Sequence, residues 1–118
     1  MDLRVRQAID LLSEDLSRPF DLDALAASVN LSPSRLRHLF KSEIGLTPAQ
    51  YLKRLRIEDA RKLLEGSFLR LKEVMPRVGV SDESHFVRDF KKAHGLPPIK
   101  YRLSRSESSR CVATRANK

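Results

Sequence analysis

The chain has 118 residues, 41% hydrophobic and 32% charged, which suits one ordinary globular domain or two very small lobes sharing a core. No run approaches the ~18 apolar residues of a membrane span. The stretch Met1–Leu12 is an amphipathic helix pattern broken by charge rather than a secretion signal, and the single cysteine, Cys111, excludes an internal disulfide framework and fits the reducing cytoplasm. The net charge of +8 points to an anionic partner.

Along residues 2–17, Val5, Ala8, Ile9, Leu12 and Leu16 recur at helical spacing, so a first helix with an inward apolar face is expected. Pro19 ends it, because the residue before proline is pushed out of helical geometry. Asp21 is placed to cap a short second helix, Leu22 to Val29. Its inward residues are Leu22, Leu25 and Val29, Ala26 lets a neighbour come close, and Asn30 takes a left-handed turn. Ser32 then caps a third helix with Pro33 at its first position. Leu36, Leu39 and Phe40 form its buried side, Ser34, Arg35, Arg37, His38 and Lys41 the other, and Gly45 closes it. Two short helices joined by a turn of three or four residues, the second capped and basic, make a helix-turn-helix.

Thr47 to Gly66 reads as one long helix. Thr47 caps it, Pro48 suits the first position, Glu58 and Lys62 form an (i, i+4) pair, and Gly66 sits just past the end in left-handed geometry. Its apolar residues, from Tyr51, Leu52 and Leu55 through Ile57, Ala60, Leu63 and Leu64, cover more than one stripe, which implies packing on more than one side.

The sequence then repeats itself. Leu22, Leu25, Val29, Leu31 and Ser32 recur at an offset of 49 as Leu71, Val74, Val78, Val80 and Ser81. One extra residue in the second turn moves the offset to 50, at which Ser34, Leu36, Phe40, Lys41, Gly45, Leu46, Pro48 and Tyr51 return as Ser84, Phe86, Phe90, Lys91, Gly95, Leu96, Pro98 and Tyr101. Such a repeat governs the reading of everything else. Copied onto the second half, the plan puts Gly79 in the turn, Ser81 at the cap, Phe86 and Phe90 inside and Gly95 at the stop. Glu83, Ser84, His85, Val87, Arg88, Lys91 and Lys92 face outward, and a last helical turn runs from Leu96 to near Tyr101 and Arg102. No strand pattern occurs. The expected fold class is all-α, with about seven helices. Two homeodomain-like helix-turn-helix lobes, residues 1–46 and 67–103, are joined by the central helix 47–66. Residues 104–118 are serine-rich, hold +3 of the net charge and are expected to be a disordered basic tail.

The residues that carry the repeat resemble the arabinose-operon regulator (AraC/XylS) family of bacterial transcription factors, over roughly Val5 to Arg102. The stretches LAASVNLSPSRLRHLFKSEIGLTPAQYL, LRIEDARKLL and VGVSDESHFVRDFKKAHGLPPIKYR bear most of the likeness. The resemblance implies a seven-helix DNA-binding unit with two helix-turn-helices bridged by a long helix. It also implies a sensor or receiver domain elsewhere in the protein, of which this chain would be the C-terminal part, although a smaller group of stand-alone activators has this size. Four residues depart from the family pattern. Val80 stands in place of phenylalanine and Met75 in place of alanine. Pro76 interrupts a short helix, at a cost of up to ~3 kcal/mol, and Arg70 replaces a serine-type cap. All four point to a less stable or looser second lobe.

A helix with one side on a core can lay its other side in a major groove, where residues near its start reach base edges. The two recognition helices, about 33–43 and 82–93, would enter successive major grooves without need of a dimer. Ser34, Arg35, Arg37 and His38 are the candidate base readers of the first, and by resemblance the same helix positions contact bases in the family. Glu83, Ser84, His85 and Arg88 are the counterparts in the second. Glu83 could accept from cytosine but would also repel phosphate. Lys41, Lys91, Lys92, Arg54 and the capped starts at Ser32 and Ser81 are the candidate phosphate contacts. Arg56 is expected to brace the lobes through a carboxylate, and Tyr51 and Tyr101 to pack. RNA polymerase is a second candidate partner. The alternative reading is an interaction module that binds the polymerase or another protein without reading DNA.

Enzymatic chemistry is not indicated. Asp82, Ser84 and His85 lie within one helical turn and cannot form a triad. The three histidines and one cysteine lack metal-ligand spacing, so neither metal nor cofactor is expected. A fragment of a DNA-repair enzyme, with Cys111 reactive, is the least favoured alternative.

Overall fold

The computed structural model describes residues 1–105 of the chain. Among them are six bounded helices: α1 Leu3–Glu14, α2 Leu22–Ser28, α3 Pro33–Ile44, α4 Pro48–Gly66, α5 Leu71–Arg77 and α6 Glu83–His94. A seventh helix, α7, covers 98–105, and no strand occurs among the described residues. The all-α class and the helix number agree with the sequence reading. The chain divides into two compact units whose boundary falls inside α4, between Arg56 and Ile57.

The first unit is built by α1, α2, α3 and the start of α4. Asp2 caps α1 by accepting from the Arg4 amide at 2.8 Å, while its own amide donates to both carboxylate oxygens of Glu43, at 2.9 and 3.0 Å. α1 stops at Glu14, well before Pro19. The carboxylate of Asp15 accepts from the amide and hydroxyl of Ser17, a local turn that competes with the helix. Asp21 caps α2 by accepting from Ala24 at 3.1 Å, and Asn30 takes the left-handed conformation at φ 59°. Ser32 caps α3 through the Arg35 amide at 3.2 Å, and Gly45 ends it at φ 87°. Val5, Ala8, Leu12, Leu25, Ala26, Val29, Leu36, Phe40 and Leu52 form the core, and Phe40 meets the edge of Tyr51 at 5.5 Å. Burying a side chain such as Leu36 or Phe40 contributes about 1.5–3 kcal/mol, which is what fixes α3's inner side.

Arg56 does not pair with a carboxylate. Its guanidinium donates to the carbonyls of Leu16 at 3.1 Å and Arg18 at 2.7 Å, satisfying loop carbonyls that have no secondary-structure partner. The start of α4 carries a full capping box: Thr47 Oγ1 accepts from the Gln50 amide at 3.3 Å, and Gln50 Oε1 from the Thr47 amide at 3.0 Å.

The second unit repeats the plan around Ile57, Ala60, Leu64, Val74, Met75, Val78, Phe86 and Phe90. The two helix-turn-helix turns match bond for bond. Leu31 donates to Ala26 and Val80 to Met75, both at 2.9 Å, and Val80 is half-buried against its core as Leu31 is against its own. Met75 is buried where the first unit has Ala26. Pro76 lies inside α5, yet the helix closes beyond it, the Val78 amide donating to Val74 at 3.2 Å. Arg70 cannot accept a hydrogen bond; the α5 start is held instead by Glu73, whose carboxylate accepts from the Arg70 amide at 3.0 Å.

Three further expectations change here. Gly66 is the last residue of α4 and not a left-handed stop. The carbonyls such a stop would serve are taken by Ser67 Oγ, which donates to Leu63 at 2.6 Å, and by Arg102 Nε, which donates to Leu64 at 2.9 Å. Glu58 pairs with Arg61 in place of Lys62, and Arg61 also holds Glu65. The planar fork lets one guanidinium serve two carboxylates, which an ammonium does less well; the bond to Glu58 is the main cause that raises the Arg61 pKa. Finally, α7 runs past Arg102 to 105, with Arg105 Nε 2.9 Å from Glu65. The rest of the expected tail, 106–118, including Cys111, lies outside the described residues.

Candidate nucleic-acid interface

α3 presents the first candidate surface. With Leu36 and Phe40 fully buried, helical spacing forces Ser34, Arg35, Arg37, His38 and Lys41 outward, and all five are exposed. Ser34, Arg37, His38 and Lys41 line a shallow open groove together with Ser42 and Thr47. Arg35 lies outside that lining, and Arg54, exposed on α4, does not join it. The side chains of Arg35 and Arg37 form no ion pair among the described residues, so their guanidinium donors are available to a ligand. Sequence reasoning did not name Ser42 or Thr47, although Thr47 was visible as the cap of the next helix.

α6 presents the second. Phe86 and Phe90 are buried, while Glu83, Ser84, His85, Arg88, Lys91 and Lys92 are exposed. The cap of α6 is Asp82 and not Ser81. Asp82 Oδ1 accepts from the His85 amide at 2.9 Å, the main cause that keeps its carboxyl below the usual aspartate range. Its other oxygen lies 3.1 Å from His85 Nδ1. The reason lies in the extra residue of the second turn: α3 and α6 correspond at the offset of 50, so the partner of Ser32 is Asp82, and Ser81 is the insertion. Ser81 is exposed and caps nothing, so the capping argument for a phosphate there does not apply. The start of α6 already holds a carboxylate against its free amides.

The nearby His94 is packed inside the second unit, its ring 4.7 Å from Phe90 and 5.6 Å from Tyr101. Tyr101 in turn meets the edge of Phe90 at 5.4 Å, as Tyr51 meets Phe40, and donates to Glu65 at 2.8 Å. The tyrosines therefore pack as expected. Among the described residues no three His, Cys, Asp or Glu side chains come together as a metal site, and no helix is long and apolar enough to cross a membrane.

Comparison with known proteins places these features in context. Residues 25–104 match a family model described as a helix-turn-helix domain. The arabinose operon regulatory protein of Escherichia coli K12 is 36% identical over 98% of this chain and 40% of its own length. The transcriptional activator RhaR of Salmonella schwarzengrund is 34% identical over 85% of this chain and 36% of its own. The chain thus spans about two fifths of the length of the curated relatives it matches. Among solved structures, the C-terminal domain of AraT, a response regulator from Geobacillus stearothermophilus, superposes with a TM-score of 0.81 at 32% identity, covering 88% of this chain and 87% of that one. The DNA-binding domain of the global transcriptional factor AdpA, solved in complex with a target DNA, gives 0.80 at 29% identity over 86% and 91%.

Proposed function

The chain belongs to the helix-turn-helix domain family of the arabinose-operon-regulator (AraC/XylS) type, and we propose on that premise that it binds specific double-stranded DNA sequences and regulates transcription. One recognition helix from each unit, α3 and α6, enters a major groove. The observation that carries the reading is α3 itself: a fully buried apolar side, Leu36 and Phe40, fixes Arg35, Arg37, His38 and Lys41 outward with unpaired donors. Ser34, Arg35, Arg37 and His38 read bases from α3, and Glu83, Ser84, His85 and Arg88 from α6. Lys41, Arg54, Lys91 and Lys92 hold phosphates. The complex of the AdpA domain with DNA supports this reading by analogy.

The same reading puts the chain in the bacterial cytoplasm, assigns it no catalytic role, and makes RNA polymerase and a sensor or receiver domain its further partners; the greater length of the curated relatives supports the latter. The test is fluorescence anisotropy on sites enriched from a random duplex library. Arg35→Ala with Arg37→Ala should lose the specific site, at about 1–3 kcal/mol for each guanine contact. Lys41→Ala should instead weaken all sequences and lower the salt slope by about 1. If the double variant keeps full affinity and selectivity, the chain is not a reader of this kind and the protein-interaction alternative takes its place.

A further inference from the structure

The two recognition helices descend from one repeat, yet their first turns carry opposite hydrogen-bonding chemistry. α3 opens on Arg35 and Arg37, which offer only donors. α6 opens on Glu83, whose exposed carboxylate takes no partner among the described residues and offers only acceptors. The neighbouring Asp82 is already engaged, accepting from the His85 amide and lying 3.1 Å from His85 Nδ1. The head of α6 therefore projects a free carboxylate, Glu83, where the head of α3 projects donors.

In the major groove, guanine shows the acceptors N7 and O6, which suit arginine. The donors are the amino groups of cytosine and adenine. Adenine's amino group sits beside its N7 acceptor, which a carboxylate repels. Cytosine's N4 amino group has an acceptor on one side only, the O6 of the paired guanine, whereas adenine's is flanked by its own N7 and the O4 of the paired thymine, so cytosine is the base edge that fits Glu83 best. We propose that Glu83 makes α6 a cytosine selector, while α3 selects guanine. The inference rests on the DNA-binding reading above and adds the base that the second unit recognises. It also implies that the Glu83 charge, standing near phosphates, costs affinity on every other sequence.

The test is selection of the full chain on a random duplex library, run in parallel for wild type, Glu83→Ala and Glu83→Gln, with helix content checked by circular dichroism. Wild type should enrich a motif with cytosine at one α6-dependent position, preferred on the order of tenfold over thymine there. Glu83→Ala should lose that preference, keep the guanines read by α3 and bind unrelated DNA more tightly. Glu83→Gln should move the preference to adenine, whose N6 and N7 a carboxamide can pair with. A Glu83→Ala motif identical to that of wild type overturns the proposal while DNA reading stands. So does a folded Glu83→Ala protein that loses affinity equally for every sequence. A wild type that enriches no motif overturns the DNA-binding reading itself.

Discussion

Gly66 offers a sharp test of how α4 ends. A glycine after a long helix is ordinarily read as a left-handed stop, and replacing it with alanine would then cost about 1 kcal/mol or more. Here Gly66 is helical, and a Cβ built on it meets nothing within 4 Å. Alanine would restrict the unfolded chain and suit the helix, so Gly66→Ala should stabilise the protein by about 0.5 kcal/mol, at the low end of the helical glycine-to-alanine range because the site is terminal. Gly45 and Gly95 provide the controls. They lie at φ 87° and 84°, so alanine there should destabilise by about 1 kcal/mol despite equally open surroundings. Urea unfolding followed by circular dichroism reads all three, with the midpoint moving up for Gly66→Ala and down for the other two at an unchanged slope. If Gly66→Ala falls in step with Gly45→Ala, the helix does not end as described, and the roles given to Ser67 and Arg102 at its carbonyls are wrong.

Other outcomes follow from the same geometry. Phe40→Ala and Phe90→Ala each empty a fully buried site and should cost about 3–5 kcal/mol; hydrogen exchange should show the loss beginning in residues 1–56 for the first and from Ile57 onward for the second, and uniform loss for both would contradict two separate cores. Ser32→Ala should cost about 1 kcal/mol in a thermal melt, while Ser81→Ala stays within about 0.5, because only Ser32 caps a helix. Tyr101→Phe keeps the edge contact with Phe90 but removes the bond to Glu65, the largest cause that lowers that carboxyl. A depressed carboxyl contributes stability above its ordinary range and loses it as pH falls through the depressed value. Tyr101→Phe should therefore be less stable by roughly 0.5–1 kcal/mol at neutral pH, with the gap closing in an acid titration; a gap that widens on acidification would contradict the Tyr101–Glu65 bond.

Much of this fold could be read before any coordinate. Local rules sufficed wherever one residue type answers one backbone need: Asp21 and Ser32 at helix starts, Asn30, Gly45 and Gly95 in left-handed geometry. The repeat supplied the second core from the first. What escaped reading depends on partners distant in sequence or on near-equal local choices. Arg56 and Arg102 seek carbonyls 38–40 residues away, and nothing in a helical pattern predicts that. Arg61 outcompetes Lys62 for Glu58 through the geometry of its fork. Asp15 folds the chain back before Pro19 can act. The misplaced cap at Ser81 was legible in principle, since carrying the offset of 50 one step back from Ser84 and Glu83 lands on Asp82, another strong capping residue. The outward residues of α3 and α6 followed from periodicity alone, and the same spacing, carried on from Ser34 and His38, reaches Ser42, whereas Thr47 lines the groove from beyond the end of α3.

The inserted Ser81 carries a consequence beyond the loop it lengthens. Both halves follow one template, yet with a lone extra amino acid ahead of it the second rod sits on an acidic foot, Asp82, where the first sits on the hydroxyl of Ser32. If the proposed cytosine and guanine preferences hold, a promoter bound by this chain would lack the tandem look of its regulator, and genome searches built on direct repeats would pass over it.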